Sequence, residues 1–271
     1  METRYLLIYL ALIHQGDWNA IYDNIKSKVL PSSEEIEKVV SGLDPDCKAV
    51  TILDPEYPES LKEGNFPHPP FVLFCRGESS LLKTPPEDAV AIVHDEMEGY
   101  AKADEYSRDN LGEIAAECVR RDIVRVMKCS YPSDTKRILP GGGRIVVSCG
   151  GIDAPEAKAL AEDHWTLVIS EYPNACAGNT ERRIAAGRIV AGLAKTLFVP
   201  KAECKSTAVI DVACAVNIGR DVGVLPYPAG AAKAGLCNNT LISDGALLVD
   251  DIGSFLDLEY PSHPPLYDGA M

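Results

Sequence analysis

Three arginines stand close together in the stretch RRIAAGRIVAGLAKTLFV, which covers residues 182–199. Arg182 and Arg183 fall in the first turn of a helix predicted over residues 180–193, and Arg188 follows further along it. Guanidinium groups bind phosphates through charge-assisted hydrogen bonds, and glycines among them let a ligand backbone approach closely. The stretch therefore predicts a phosphate-binding helix or, alternatively, a helix packed on a sheet whose arginines extend to solvent.

Two further charged segments each follow a predicted strand directly. Lys128 comes after the strand IVRVM and before the helical pattern PSDTKRIL, and this segment fits an anion site as well as a capped surface helix. His94, Asp95 and Glu96 come after the strand AVAIV, and their carboxylates would repel a phosphate. We favour an ordinary polar loop at residues 94–96 over an acid/base or metal cluster.

Glycines and carboxylates complete the set of candidate groups at strand ends. Gly150 and Gly151 follow the strand RIVVS, so their backbone is predicted to line a ligand crevice. Asp153 and Glu171 are the only carboxylates placed for acid/base work at strand ends, and no nucleophile pairs with a base in the pattern. The sequence therefore predicts a binding protein and not an enzyme.

The nine cysteines are scattered through the chain without a C-x-x-C pair or a histidine at ligand spacing. In a chain of this size with no export signal, they are predicted to be small, buried and reduced. We therefore expect neither a metal site nor a cofactor.

The formal net charge of −14 is spread unevenly along the chain. Residues 120–144 hold seven Lys or Arg against two Asp or Glu, and residues 178–240 hold eight against four. An acidic surface argues against general affinity for nucleic acid, but it is compatible with one basic cleft, or with two solvated helix faces. The apolar run YLLIYLALI is too short to span a bilayer and lacks the features of a signal peptide, so we predict a cytoplasmic protein without a membrane partner.

Short Val- and Ile-rich runs alternate with helical patterns from residue 89 onward. Such runs are typical of parallel strands buried on both faces, so we predict an α/β fold with a Rossmann-like, doubly wound and mostly parallel sheet. Four segments are expected. They are a small N-terminal helical module at 1–46, lead-in strands and a linker at 47–88, a Rossmann-like core at 89–258, and a flexible tail at 259–271.

Several motifs, in this order, resemble those of the DprA/Smf family of DNA-processing proteins. DPEYPESLKEGNFPHPPFVLFCRGESSLL (54–82) is similar to the family's D-x-x-Y-P-x-x-L…P-P-x-x-L-x-x-x-G-x-x-x-L. GRIVAGLAKTLFV (187–199) is similar to N-R-I-I-A-G-L-S-x-x-x-x-V, and GLCNNTLISDGALLVDDI (235–252) to G-x-N-x-L-I-x-x-G-A-x-x-V-x-x-x-D-I. The resemblance implies a Rossmann-like domain that binds single-stranded DNA, forms a homodimer and assists loading of a RecA-type recombinase during recombination or natural transformation.

The resemblance also assigns candidate DNA-binding residues. Arg188 carries over from the family pattern, Arg182 and Arg183 are its neighbours, and Lys205 and Ser206 correspond more weakly to S-G-S-L-x-T-A. Lys128, Gly150 and Gly151 join this set from their places after strands.

The chain departs from the family at other cleft motifs. The family's G-S-R is His94-Asp95-Glu96 here, S-G-x-A-x-G-I-D-x-x-A-H is KCSYPSDTKRIL, and the Asn before Arg188 is Gly187. Two alternatives therefore stay open beside DNA binding. The first is a divergent paralogue that acts through protein contacts, and the less favoured second is a nucleotide-processing enzyme on the same scaffold.

Overall fold

The computed structural model describes residues 3–95, 101–129, 141–228 and 236–266. It opens with three helices, α1 (Thr3–Ile13), α2 (Trp18–Ser27) and α3 (Ser33–Val40). Asp17 caps α2 by accepting the Ala20 N–H, and Ser32 forms a capping box with Glu35 at the start of α3. The predicted N-terminal helices are thus present, and α1 packs its buried face into a core that it shares with the sheet.

Nine strands form one sheet within the described residues. They are β1 (Lys48–Thr51), β2 (Val72–Gly77), β3 (Ala89–His94), β4 (Val124–Cys129), β5 (Arg144–Ser148), β6 (Thr166–Ser170), β7 (Thr196–Lys201), β8 (Asp221–Val224) and β9 (Leu247–Leu248). The order across the sheet is β1-β2-β6-β5-β4-β3-β7-β8-β9. Strands β3 to β9 pair in parallel, whereas β1 pairs antiparallel with β2 and β2 antiparallel with β6.

Helices cover both faces of this sheet. Those that follow α3 are α4 (Ala101–Arg121), α5 (Pro155–Ala161), α6 (Thr180–Gly192), α7 (Thr207–Asn217), α8 (Asn238–Ser243) and α9 (Ile252–Glu259). Helices α6 and α7 pack into the core on one face, and α1, α4 and α9 pack into the core on the other. The predicted doubly wound, mostly parallel α/β fold is therefore confirmed. The helix predicted from PSDTKRIL lies outside the described residues.

The chain reverses its direction across the sheet at β3. It passes from β3 through β4 and β5 to β6 on one side, and then returns to place β7 on the other side of β3. In doubly wound sheets, ligands bind outside the carboxyl ends of the strands at such a switch point. The ends of β3, β4 and β7 are therefore where a site is expected. No helix in the described ranges is both long and apolar enough to cross a membrane.

The segment that follows α9 is packed against the domain in the structure. Tyr260 is buried, and its hydroxyl donates to the Ala89 carbonyl at 2.8 Å. His263 Nε2 lies 2.8 Å from Asp88 Oδ1, and the Leu266 N–H donates to the Arg120 carbonyl at 2.7 Å. The flexible tail predicted from residue 259 is therefore corrected for residues 259–266, and residues 267–271 lie outside the described ranges.

Candidate nucleic-acid interface

The end of β3 presents a carboxylate where phosphate-binding folds commonly present glycines. The Asp95 N–H donates to the Lys201 carbonyl at 3.1 Å, and Asp95 Oδ2 accepts the Glu203 N–H at 3.2 Å. Asp95 is buried, so its side chain serves mainly to join the end of β3 to the loop after β7. This agrees with the polar loop favoured from the sequence, although Glu96 lies outside the described residues.

Lys128, at the end of β4, forms a buried ion pair with Asp211 on α7. The lysine side chain is 5% exposed and the aspartate side chain 1% exposed. Lys128 Nζ also donates to Thr207 Oγ1 at 3.3 Å. Burial raises the pKa of Asp211 to about 6, although the nearby ammonium of Lys128 acts to lower it. The Asp211 carboxyl therefore takes up a proton at a higher pH than an ordinary aspartate does.

Arg183 joins this pair through the same threonine. Its Nε donates to Thr207 Oγ1 at 2.9 Å. This hydroxyl, in the first turn of α7, therefore accepts from both the Arg183 guanidinium and the Lys128 ammonium. Lys205 is exposed just before this turn, and the Ser206 hydroxyl caps α7 by accepting the Ala208 N–H at 3.1 Å. The structure thus brings together four of the predicted residues, namely Lys128, Arg183, Lys205 and Ser206, around the start of α7.

Arg188 is placed quite differently, and its predicted role needs correction. It is buried, and its two terminal nitrogens bond Glu171 Oε2 and Oε1 at 2.7 and 2.6 Å. The remaining N–H groups reach the carbonyls of Pro67, His68 and Ala185. Burial acts to lower the pKa of Arg188, but the attraction of Glu171 outweighs it and the pKa is raised. All five donors are occupied, so Arg188 fixes α6 to the loop before β2 and offers no donor to a phosphate.

Arg182 lies on another side of α6 from Arg183. One of its terminal nitrogens donates to the Ala177 carbonyl at 2.8 Å, and its guanidinium lies 4.9 Å from the centre of the Tyr172 ring. A cavity of about 410 Å³ opens beside it, between α6 and the turn that joins α1 to α2. Arg182 is thus half-buried, and its described partners lie beside the loop after β6 and not at the start of α7.

Gly150 and Gly151 are buried beneath the loop that follows β6. The Gly150 carbonyl accepts the Cys176 N–H at 2.9 Å. Gly151 has a φ of +82°, and a Cβ built on it would lie 1.8 Å from the Asn174 carbonyl oxygen. These glycines permit the close approach of residues 174–176. Because those residues cover it, the backbone of Gly150 and Gly151 does not line an open crevice as predicted.

The residues that sequence reasoning missed are Asp211 and Thr207. Asp211 carried a detectable signal, because it is a charged residue on a helix face whose other members, Ala208, Val212 and Ala215, are apolar and buried. Its partner Lys128 is 83 positions away in the chain, which no local pattern connects.

The cysteine prediction needs one correction. Cys204 and Cys237 form a disulfide that joins the loop before α7 to the start of α8. The other seven cysteines are free thiols, and five of them are buried as predicted. Within the described ranges, no group of three or more His, Cys, Asp and Glu side chains is arranged to hold a metal ion.

The fold and these basic residues define a class of protein, a doubly wound α/β domain with basic groups at its switch point. The sequence profile of the family described as DNA recombination-mediator protein A matches residues 48–258. The chain belongs to that family.

Two relatives that are similar in sequence support this membership. The putative DNA processing protein DprA of Mycobacterium tuberculosis is 30% identical over 202 residues, which cover 70% of this chain and 50% of the relative. DNA processing protein DprA of Streptococcus pneumoniae is 30% identical over 217 residues, which cover 73% of this chain and 70% of the relative. The chain spans about half the length of the mycobacterial relatives that it matches.

Solved structures agree on the fold. The crystal structure of DNA processing protein A from Streptococcus pneumoniae superposes with a TM-score of 0.66 at 24% identity, covering 94% of this chain and 97% of that one. A structure of DNA processing protein A from Helicobacter pylori, described for its single-stranded DNA binding mode, gives a TM-score of 0.63 at 22% identity, covering 83% of this chain and 99% of that one.

Proposed function

We propose that this protein binds single-stranded DNA at the carboxyl edge of its sheet, around the start of α7. The observation that carries the proposal is the shared use of Thr207 Oγ1 by Arg183 and Lys128, in a chain of the DNA recombination-mediator family. The Helicobacter pylori protein of the same fold, described by its single-stranded DNA binding mode, supports the same choice of ligand.

The physical basis is attraction of backbone phosphates. Arg183 and the exposed Lys205 supply positive charge, and the amino end of α7 adds the partial positive charge of its N–H groups. Contacts of this kind position a strand without reading its bases. The proposed site therefore binds single strands with little sequence preference and strong salt dependence.

Family membership supports a wider role, which we include in the proposal. The protein acts as a cytoplasmic homodimer without catalytic activity, and it passes the bound strand to a RecA-type recombinase during recombination or natural transformation. Light scattering of the purified chain tests the dimer, and strand exchange with a recombinase tests the transfer.

A second candidate is a family member that acts through protein contacts and has lost DNA binding. Two observations favour it. Arg188 is fully occupied by Glu171 and backbone carbonyls, and Lys128 is neutralised by Asp211. The net charge of −14 also disfavours binding of DNA, because DNA is a polyanion.

Fluorescence anisotropy of labelled oligo-dT separates the two candidates. The Arg183→Ala/Lys205→Ala double variant is expected to bind roughly 10- to 100-fold more weakly than wild type, with a salt slope smaller by about 1.4, because two phosphate contacts are lost. Lys83→Ala is the matched control, since Lys83 is exposed near the amino end of β3, at the opposite edge of the sheet. Absence of binding by wild type at low salt would contradict the proposal and support the second candidate.

A further inference from the structure

Asp211 has one carboxylate oxygen without a hydrogen-bond partner. Its Oδ2 pairs with Lys128, whereas no described residue donates to its buried Oδ1. A buried acceptor is costly to leave unpaired, and native proteins usually satisfy it with a protein group, a water or a ligand. The second oxygen therefore needs an explanation beyond packing.

The carboxylate has its place only because α6 has no side chain at residue 187. A Cβ built on Gly187 would lie 1.8 Å from Asp211 Oδ1 and 2.8 Å from its Cγ. In the family pattern this position is an asparagine, immediately before the arginine that is Arg188 here. The Asp211 carboxylate thus occupies the space that a side chain at residue 187 would need.

Charged groups face Asp211 from several elements. They are Lys128 on β4, Arg183 on α6 and Asp95 after β3, and the Cys214 thiol lies further along α7. The Lys128 ammonium has three N–H groups, of which Asp211 and Thr207 accept two. No other described residue accepts from it. An anion bound at this site would therefore meet Lys128 and Arg183 together with the carboxylates of Asp211 and Asp95.

We infer that Asp211 sets the affinity of this site by occupying Lys128 as an internal substitute for a phosphate. This inference rests on the proposed DNA binding. A carboxylate oxygen and a phosphate oxygen accept the same ammonium N–H, so the bound carboxylate reduces the charge left for a strand. Removing the negative charge of Asp211, by protonation or substitution, returns that charge to the site.

Protonation gives the inference a direction with pH. The pKa of Asp211 is raised by burial to about 6, so the carboxylate is charged above that pH and neutral below it. Affinity for a single strand is therefore expected to rise as the pH falls through about 6. Protonation of the other carboxylates of this acidic protein also raises the affinity for DNA, by a smaller amount. A variant is needed to separate this general effect from the effect of Asp211.

The test is anisotropy of labelled oligo-dT with wild type, Asp211→Asn and Lys128→Met/Asp211→Asn, well above and well below pH 6. Above pH 6, Asp211→Asn is expected to bind roughly 3- to 10-fold more tightly than wild type, with a salt slope steeper by about 0.7, because one more phosphate contact forms. Below pH 6 the two proteins converge, and the double variant loses the gain. Asp221→Asn, which removes an exposed carboxylate at the start of β8, is the matched control.

The outcomes separate this inference from the proposed function. Equal affinity and equal salt slope of wild type and Asp211→Asn would overturn the inference and leave DNA binding intact. Absence of binding by both proteins at every pH would overturn both proposals. Asp211→Ala is a second variant that removes the carboxylate, and it answers the same question if Asp211→Asn fails to fold.

Discussion

Two buried ion pairs lie at the carboxyl edge of the sheet, and they are built differently. In the pair of Arg188 with Glu171, both carboxylate oxygens are bonded and all five guanidinium donors have acceptors. In the pair of Lys128 with Asp211, one carboxylate oxygen has no described donor and the aspartate pKa is raised to about 6.

The difference separates a structural pair from a responsive one. A guanidinium cannot lose its proton in this pH range, so Arg188 keeps its charge and must keep its partner. Asp211 can take up a proton as the pH falls, and this removes the negative charge beside Lys128. Residues of opposite charge at one sheet edge can therefore have distinct roles.

The largest expected effect comes from breaking the complete pair. Arg188→Ala leaves the Glu171 carboxylate buried without its partner, and we expect a loss of about 3–5 kcal/mol in the free energy of unfolding. Urea denaturation followed by circular dichroism measures it.

The control for this change removes both charges together. Arg188→Met/Glu171→Leu keeps apolar volume and leaves no uncompensated charge, so it is expected to recover most of the stability lost in Arg188→Ala. Wild-type stability in Arg188→Ala would show that the pair is not structural. It would also return Arg188 to the set of candidate DNA-binding residues.

A smaller effect is expected from the titration of Asp211. Its pKa in the folded chain is about 6 against an ordinary value of 3.8, so the folded state binds the proton more tightly than the unfolded state. The resulting stability is complete below about pH 4 and is lost as the pH rises through about 6, a change of about 2–3 kcal/mol.

Comparison with Asp211→Asn isolates this change. Carboxylates with lowered pKa, such as Asp44 beside Arg76, contribute stability that is lost as the pH falls, and they contribute equally in both proteins. We therefore compare the urea midpoints of wild type and Asp211→Asn across this pH range. The difference between them should vary with pH only because Asp211 titrates. A difference that does not vary with pH would contradict the raised pKa.

The smallest effect is expected at Gly187. Gly187→Asn introduces a side chain into the space of the Asp211 carboxylate and forces it away from Lys128, for an expected loss of about 1–2 kcal/mol. Combining it with Asp211→Ala removes the overlap, so the double variant should lose less than the two single losses added. Simple additivity in a double-mutant cycle would show that the two residues do not share this space.

Most of the fold could be predicted from the sequence, because its strands are runs of Val and Ile buried on both faces. β3, β5 and β6 lie within or next to the residues expected for them. The antiparallel attachment of β2 to β6 could not be predicted, since it depends on a pairing between segments nearly 100 residues apart. The packing of Tyr260 against Ala89 is equally non-local, which is why a flexible tail was expected there.

The site was less accessible to sequence reasoning. Helix α6 was placed correctly, but its small residues lie on all sides, so no periodicity shows that Arg188 faces the interior while Arg183 faces α7. The partners that bury Arg188 are Glu171 and the backbone of residues 67–68, the latter about 120 positions away. Only the structure shows that Arg188 pairs with Glu171 in the interior, whereas Arg183 contacts Thr207 on α7.

The most direct test of the account is hydrogen–deuterium exchange of the whole chain, with and without oligo-dT, read by mass spectrometry. The account predicts protection on DNA addition in peptides that cover the start of α7 and the first turns of α6, with no change in α1 to α3. Protection confined to α1 to α3, or no protection anywhere at saturating DNA, would contradict a binding site at the carboxyl edge of the sheet.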